Sequence, residues 1–232
     1  MILFLTSSPT GDLDGKYVPD GLDPRSGFLE EVRKVWRSPS RCLMITASPD
    51  RYAANDEMTE FFRRALSRSS LPCSAFDLWD GRTEDVSEKA LLAYDVIFLG
   101  GGHVPTQNAF FRKIALREKL QGFGGIVIGI SAGTMNCADT VYSSPEEPGE
   151  AIDPEYRRFF PGLGLTELNI LPHYQVIRDD VLDGKKLFEE IVLPDSAGRR
   201  FLVLPDGSFV REENGLRQIF GEHRWIADGH WL

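Results

Sequence analysis

Short, unbroken apolar runs alternate along the chain with segments whose apolar residues recur at helical spacing. Candidate strands cover residues 2–5, 42–46, 75–78, 95–99, 126–130 and 201–204. Several are continuous rather than alternating, such as Val96-Ile97-Phe98-Leu99 and Ile126-Val127-Ile128. Continuous runs suit strands covered on both faces, as in a parallel sheet between helices. Met58, Phe61, Phe62, Ala65 and Leu66 fall at i, i+3, i+4, i+7 and i+8, one face of a helix. A further helix is expected from near Thr106 to Leu120, where Gln121-Gly122 breaks it. Alternation of this kind predicts an α/β fold, doubly wound, with a mostly parallel sheet and helices on both faces.

Two stretches depart from the alternation. Residues 9–27 are rich in Gly, Pro and Asp and are expected to form a long loop after the first strand. Residues 143–164 contain Pro145, Pro148, Pro154 and Pro161, which excludes a long regular helix. Loops of this length in a compact domain are often functional. Neither resembles a linker, no repeat is visible, and 232 residues suffice for one core. Residues 1–232 are therefore read as one domain.

Composition narrows the function. Apolar residues make up 42% and charged residues 26%, an ordinary globular profile, and the net charge is −9. No basic stripe is available to displace counterions from a phosphate backbone, so nucleic acid is not an expected partner. Nor is a membrane, because no run could span a bilayer and the N-terminus turns polar at Thr6. Cys42, Cys73 and Cys137 are an odd number without paired spacing, which argues against a disulfide framework and a cysteine zinc site. The expected location is cytoplasmic.

The sharpest chemical feature is Gly129-Ile130-Ser131-Ala132-Gly133. It follows an apolar strand and opens a segment that can be helical, the context of a nucleophile elbow. The amide of Ala132 would then lie at a helix N-terminus, where it can bind an oxyanion. The plainer alternative is a tight turn whose Ser only caps a helix. A second feature, Gly100-Gly101-Gly102-His103, also follows a strand, and Gly102 could supply a second oxyanion donor. No strand is followed by a dinucleotide-binding G-x-G-x-x-G, and no cofactor is expected.

A serine needs a base. Of His103, His173, His223 and His230, His173 ends an apolar strand-like run, while His223 and His230 lie in a polar C-terminal segment where chains fray. Without an H-x-x-x-H pair, a metal site is not expected. For the orienting acid, Asp206 sits in a Pro-Asp-Gly turn at a strand end, and Glu146 and Asp179 compete with it.

At these residues the chain resembles peptidase family S51, the group of dipeptidase E and cyanophycinase. The matching pieces are Gly100-Gly101-Gly102, Gly129-Ile130-Ser131-Ala132-Gly133 and Pro172-His173, in the family's order. The resemblance implies a class I glutamine amidotransferase-like fold and a Ser–His–acid peptidase that needs no cofactor. It would make Ser131 the nucleophile, His173 the base, and Gly102 and Ala132 the oxyanion donors. Asp206 and Glu146 both match positions where members carry a carboxylate, and Asp206 is preferred because a strand-end turn holds it more rigidly. Substrates would be short peptides. An acidic N-terminal residue would be favoured if Arg178, five residues after His173, reached the site; the alternative is a surface arginine paired with Asp179 or Asp180. Departures fall at His103, where dipeptidase E has Asn, and at Tyr174-Gln175-Val176-Ile177-Arg178.

Two other readings compete. An α/β-hydrolase esterase would use Ser131, Asp206 and His230 in its own chain order. An amidotransferase-like module without turnover would bind but not cleave.

Overall fold

The computed structural model describes residues 1–10, 21–24 and 26–232, and most of the loop expected at residues 9–27 lies outside them. Five strands carry the apolar runs: β1 (Ile2–Thr6), β2 (Ser40–Ile45), β3 (Cys73–Trp79), β4 (Val96–Leu99) and β5 (Ile126–Ile130). They pair in parallel in the order β3-β2-β4-β5-β1. Every residue of β4 and β5 is buried, as continuous apolar runs require. The sheet continues beyond β1 with an antiparallel hairpin, Phe209–Glu213 and Leu216–Phe220, giving seven strands. Asn214 (φ 52°) and Gly215 (φ 77°) make its turn, with both residues in the conformation a two-residue hairpin demands.

Side chains alternate across the sheet. Leu3, Leu5, Leu43, Ile45, Ile97 and Leu99 pack in one apolar layer with Leu91, Phe110, Phe111 and Leu120. These last residues come from α3 (Glu88–Leu91), α4 (Val104–Lys113) and α5 (Leu116–Leu120). Phe4, Cys42, Met44, Phe98 and Ile128 pack in the other with Phe28, Val32, Phe62 and Leu66, from α1 (Phe28–Val35) and α2 (Tyr52–Arg68). The mixed α/β architecture with a mainly parallel central sheet is the expected one. The single helix predicted from Thr106 to Leu120 is instead α4 and α5, divided at Ala115, whose φ is 50°. A left-handed residue cannot continue a right-handed helix.

Strand 201–204 also takes a different place. It forms as Arg200–Val203 in a separate four-stranded sheet, parallel to Asn169–Leu171 and antiparallel to Arg224–Ala227. His230–Trp231 completes that sheet, so the C-terminal segment expected to fray is paired. Residues 143–164 contain no helix, in line with their prolines.

Candidate active site

The carboxyl ends of strands from both sheets converge at one place, where α/β folds usually keep their sites. β5 delivers Ser131 at the turn into α6 (Ala132–Asn136). Ser131 has φ 52° and ψ −113°, an uncommon conformation for a residue with a Cβ. Its neighbours must be glycine for want of space. A Cβ on Gly129 would lie 2.8 Å from the Cα of Thr134, and one on Gly133 would lie 2.1 Å from the Leu99 oxygen. The turn is tied to β1: Ser131 N and Thr134 Oγ1 donate to Thr6 O, at 3.2 Å and 2.7 Å.

His173 follows strand Asn169–Leu171 in a left-handed conformation, φ 60°. Its backbone N–H donates to Ser7 Oγ at 2.8 Å. The ring spans two partners, Ser131 Oγ at 2.8 Å from Nε2 and Asp206 Oδ1 at 2.6 Å from Nδ1. An ionised carboxylate only accepts hydrogen bonds, so Nδ1 carries the proton and the Nε2 lone pair faces the Ser131 hydroxyl.

Asp206 is well buried, and burial alone would raise its pKa. The hydrogen bond and charge of His173, with hydrogen bonds from Ser7 and Gln175, outweigh that cost and hold it below the ordinary carboxylate value. Ser7 Oγ donates to Oδ1 at 2.6 Å and Gln175 Nε2 to Oδ2 at 2.6 Å. Gln175 Oε1 in turn accepts from the Asp206 backbone N–H at 2.9 Å. Neither Ser7 nor Gln175 stands out in the sequence. The available signal for Ser7 was its position at the carboxyl end of a central strand.

The remaining expected residues divide. Gly102 lines the cavity that contains Ser131 and His173, and Gly101 passes so close that its Cβ would lie 3.4 Å from that of Ser131. Ala132 is the first residue of α6, so its N–H lacks an intrahelical acceptor. Glu146 lines the same cavity without touching the histidine; its Oε1 accepts from Val104 N at 3.1 Å. Arg178 does not reach the cavity. Its Nε pairs with Asp179 at 3.0 Å on the surface, where both residues follow the end of the short helix Tyr174–Ile177 and are exposed. Asp179 is thereby occupied as well. His223 bonds to the Gly221 oxygen and His230 is exposed in an edge strand, while Asp206 is committed to His173. The Ser131–Asp206–His230 arrangement is therefore not formed.

Among the described residues, one group could hold a metal ion: His103, Glu147 and Glu150, with ligand atoms within 4.8 Å of one another. Both ring nitrogens of His103 are already bonded, to Thr106 at 2.7 Å and Glu150 at 2.9 Å.

The cavity beside Ser131 is bordered by two elements. One is the loop that carries Glu146. The other is a small hairpin, Val181–Leu182 and Lys185–Lys186. Asp183 in its turn joins them, accepting from Gly149 N at 2.9 Å and Ala151 N at 3.0 Å.

These strand-end features define a serine hydrolase-like site on an α/β fold. The chain matches peptidase family S51 over residues 28–219 and belongs to that family. It is a serine-type peptidase. A peptidase from an acI-B1 Actinobacterium has a similar structure (TM-score 0.61, 17% identity), covering 100% of this chain and 93% of its own. So does a Listeria monocytogenes EGD-e protein assigned as a peptidase E (TM-score 0.62, 16% identity), covering 94% and 96% respectively. A comparison with curated protein sequences finds no match. Among the described residues, no helix is long and apolar enough to cross a membrane.

Proposed function

We propose that the chain hydrolyses short peptides through an acyl-enzyme on Ser131. The observation that carries this reading is the hydrogen-bonded series from Ser131 through His173 to Asp206, at 2.8 Å and 2.6 Å. Ser131 Oγ attacks the scissile carbonyl while His173 Nε2 takes its proton. The backbone N–H groups of Gly102 and Ala132 receive the oxyanion. His173 then returns the proton to the leaving amine, and water releases the acyl group by the same route. Asp206 fixes the ring and stabilises its cation without taking the proton. The strained backbone of Ser131 is the kind of turn that lifts a nucleophile out of a strand end.

Short substrates fit a cavity of about 170 Å³. The acidic N-terminal preference has no support from Arg178, which pairs outside the cavity. Two apolar layers, one on each side of the sheet, support a doubly wound, amidotransferase-like fold, with residues 1–232 as one domain. A cytoplasmic location fits the free thiols of Cys42, Cys73 and Cys137.

The test is covalent labelling of Ser131 by a fluorophosphonate, followed by turnover of a dipeptide library. Labelling at Ser131 with loss of hydrolysis in Ser131→Ala is expected. Equal hydrolysis by the variant would remove the nucleophile assignment.

A further inference from the structure

The cavity beside Ser131 has a composition that discriminates between substrates. Its volume, about 170 Å³, is close to that of an apolar cavity of about 150 Å³ that admits a benzene ring. It therefore has room for one amino-acid side chain. Met135, Leu171, Ile177, Leu182 and Leu187 make its walls apolar. Apart from His173, its ionisable side chains are two carboxylates, Glu146 and Asp180, and no Lys or Arg lines it among the described residues. A substrate carboxylate would enter without a cation to pair with and against two like charges.

Of the two acids, Glu146 is the one held in place. Its Oε1 caps Val104 N at the start of α4. Its backbone N–H donates to Glu150 Oε2 at 2.9 Å, and Glu150 also accepts from Glu147 N at 3.0 Å and contacts His103. Asp183 clasps the same loop at Gly149 and Ala151. A carboxylate offers about four acceptor positions, and the Val104 bond uses one, so others remain for a ligand. Solvent reaches Glu146 within the cleft, yet loss of hydration there raises its pKa. The Val104 bond and His103 lower it, and Glu150 and Glu147 add repulsion. A ligand cation would relieve both unfavourable effects. Asp180 lines the cavity as well and, like Glu146, is exposed.

We propose that Glu146 receives an ammonium group of the substrate residue whose apolar side chain or stem fills this cavity. The site thus selects uncharged or cationic residues beside the scissile bond and rejects acidic ones. This rests on the serine-peptidase reading of the same site. The ammonium has two chemical sources, a free N-terminal amine or the end of a lysine side chain, and both present the same group to Glu146.

The experiment is calorimetric titration of the full chain carrying Ser131→Ala, so that binding does not depend on turnover. The probes are leucinamide, N-acetylleucinamide, N-acetyl-lysinamide and aspartic acid 1-amide. Leucinamide is expected to bind roughly tenfold or more tightly than N-acetylleucinamide and aspartic acid 1-amide, the difference a charged hydrogen bond makes. Tight binding of N-acetyl-lysinamide in place of leucinamide assigns the ammonium to the side chain and still supports Glu146 as its receptor. Adding Glu146→Gln, which keeps the acceptor for Val104 N, should bring the ratios close to one. Equal affinity for the acetylated and free leucine amides, with N-acetyl-lysinamide binding no more tightly than either, overturns the proposal, even if Glu146→Gln does not fold. So does aspartic acid 1-amide binding as tightly as the preferred ammonium probe, absence of binding by every amide, or discrimination retained in the variant. Fluorophosphonate labelling of the wild-type chain separately reports whether Ser131 is a nucleophile, so the two readings fail in different measurements.

Discussion

The imidazole of His173 meets the carboxylate of Asp206 at 2.6 Å because two parallel strands end side by side. Leu171 stands opposite Val203, and Leu204 N donates to Leu171 O at 2.9 Å. Tyr174 N then bonds to Leu204 O at 3.2 Å. Both chains turn at the same height, so residues 33 positions apart face one another. Ser7 at the end of β1 bonds to both, linking the small sheet to the central one.

Asp206→Asn should reduce kcat by about a hundredfold or more, since an amide can neither stabilise an imidazolium nor enforce its tautomer. Steady-state kinetics on the best dipeptide would measure it. Glu146→Gln should leave this step alone and act on substrate affinity. If Asp206→Asn turned over normally, Asp206 would not be the orienting acid.

Gln175 is a positioning residue whose effect passes through Asp206. Gln175→Ala removes one hydrogen bond to Oδ2 and the acceptor of the Asp206 backbone N–H. A fall in kcat of roughly tenfold, with KM little changed, is expected from the loosened carboxylate. Gln175→Glu should not restore it, because it would set a second negative charge against Asp206. A structural role alone would lower thermal stability without this split between kcat and KM.

The local parts of the site were legible in the sequence. Gly129 and Gly133 flank Ser131 because Thr134 and Leu99 leave no room for a Cβ, and close packing of this kind imprints itself on residue choice. The apolar runs of β1 to β5 were legible for the same reason. The hairpin at 209–220 was not, although Asn214-Gly215 marks its turn. Arg211, Glu212, Glu213 and Arg217 interrupt the apolar pattern there, and they are satisfied by one another and by Glu31. Gln175, Ser7 and Asp183 work through partners distant in sequence, which spacing does not reveal. Arg178 had a suggestive spacing, but it pairs with Asp179 on the surface.

Cys42 and Cys73 show the same limit. Their spacing gives no sign of pairing, yet β2 and β3 bring their sulfurs to 3.4 Å as free thiols. The hydrogen bond from Cys42 lowers the pKa of Cys73 against the opposing effect of burial, and Arg63 assists. Cys42 is raised by the same hydrogen bond and by burial, and Cys137 by burial. Iodoacetamide should therefore modify Cys73 first in the folded chain, roughly tenfold faster than either other cysteine. Peptide mass mapping over a time course would show this, and first modification at Cys137 would contradict it.

Asp206 and Glu146 should move stability in opposite directions with pH. Asp206 has a native pKa below its ordinary value of 3.8, so its ionised form stabilises the folded chain. That contribution is present above 3.8 and is lost as pH falls through the lowered native value. Glu146 has a native pKa above its ordinary 4.5, so its contribution is present below 4.5 and is lost as pH rises through the raised value. At neutral pH the ionised Glu146 therefore weakens the fold, a cost that fits a group kept for a ligand. Asp206→Asn should lower stability at neutral pH, on the order of 1 kcal/mol, with the gap closing in acid. Glu146→Gln should raise the unfolding midpoint at neutral pH and lose its advantage as the solution is acidified. Denaturant midpoints for the three chains at about pH 3, 5 and 7 would separate the two signs. A Glu146→Gln variant less stable than wild type at neutral pH would show that the carboxylate is bound by the fold itself and is not held ready for an incoming cation.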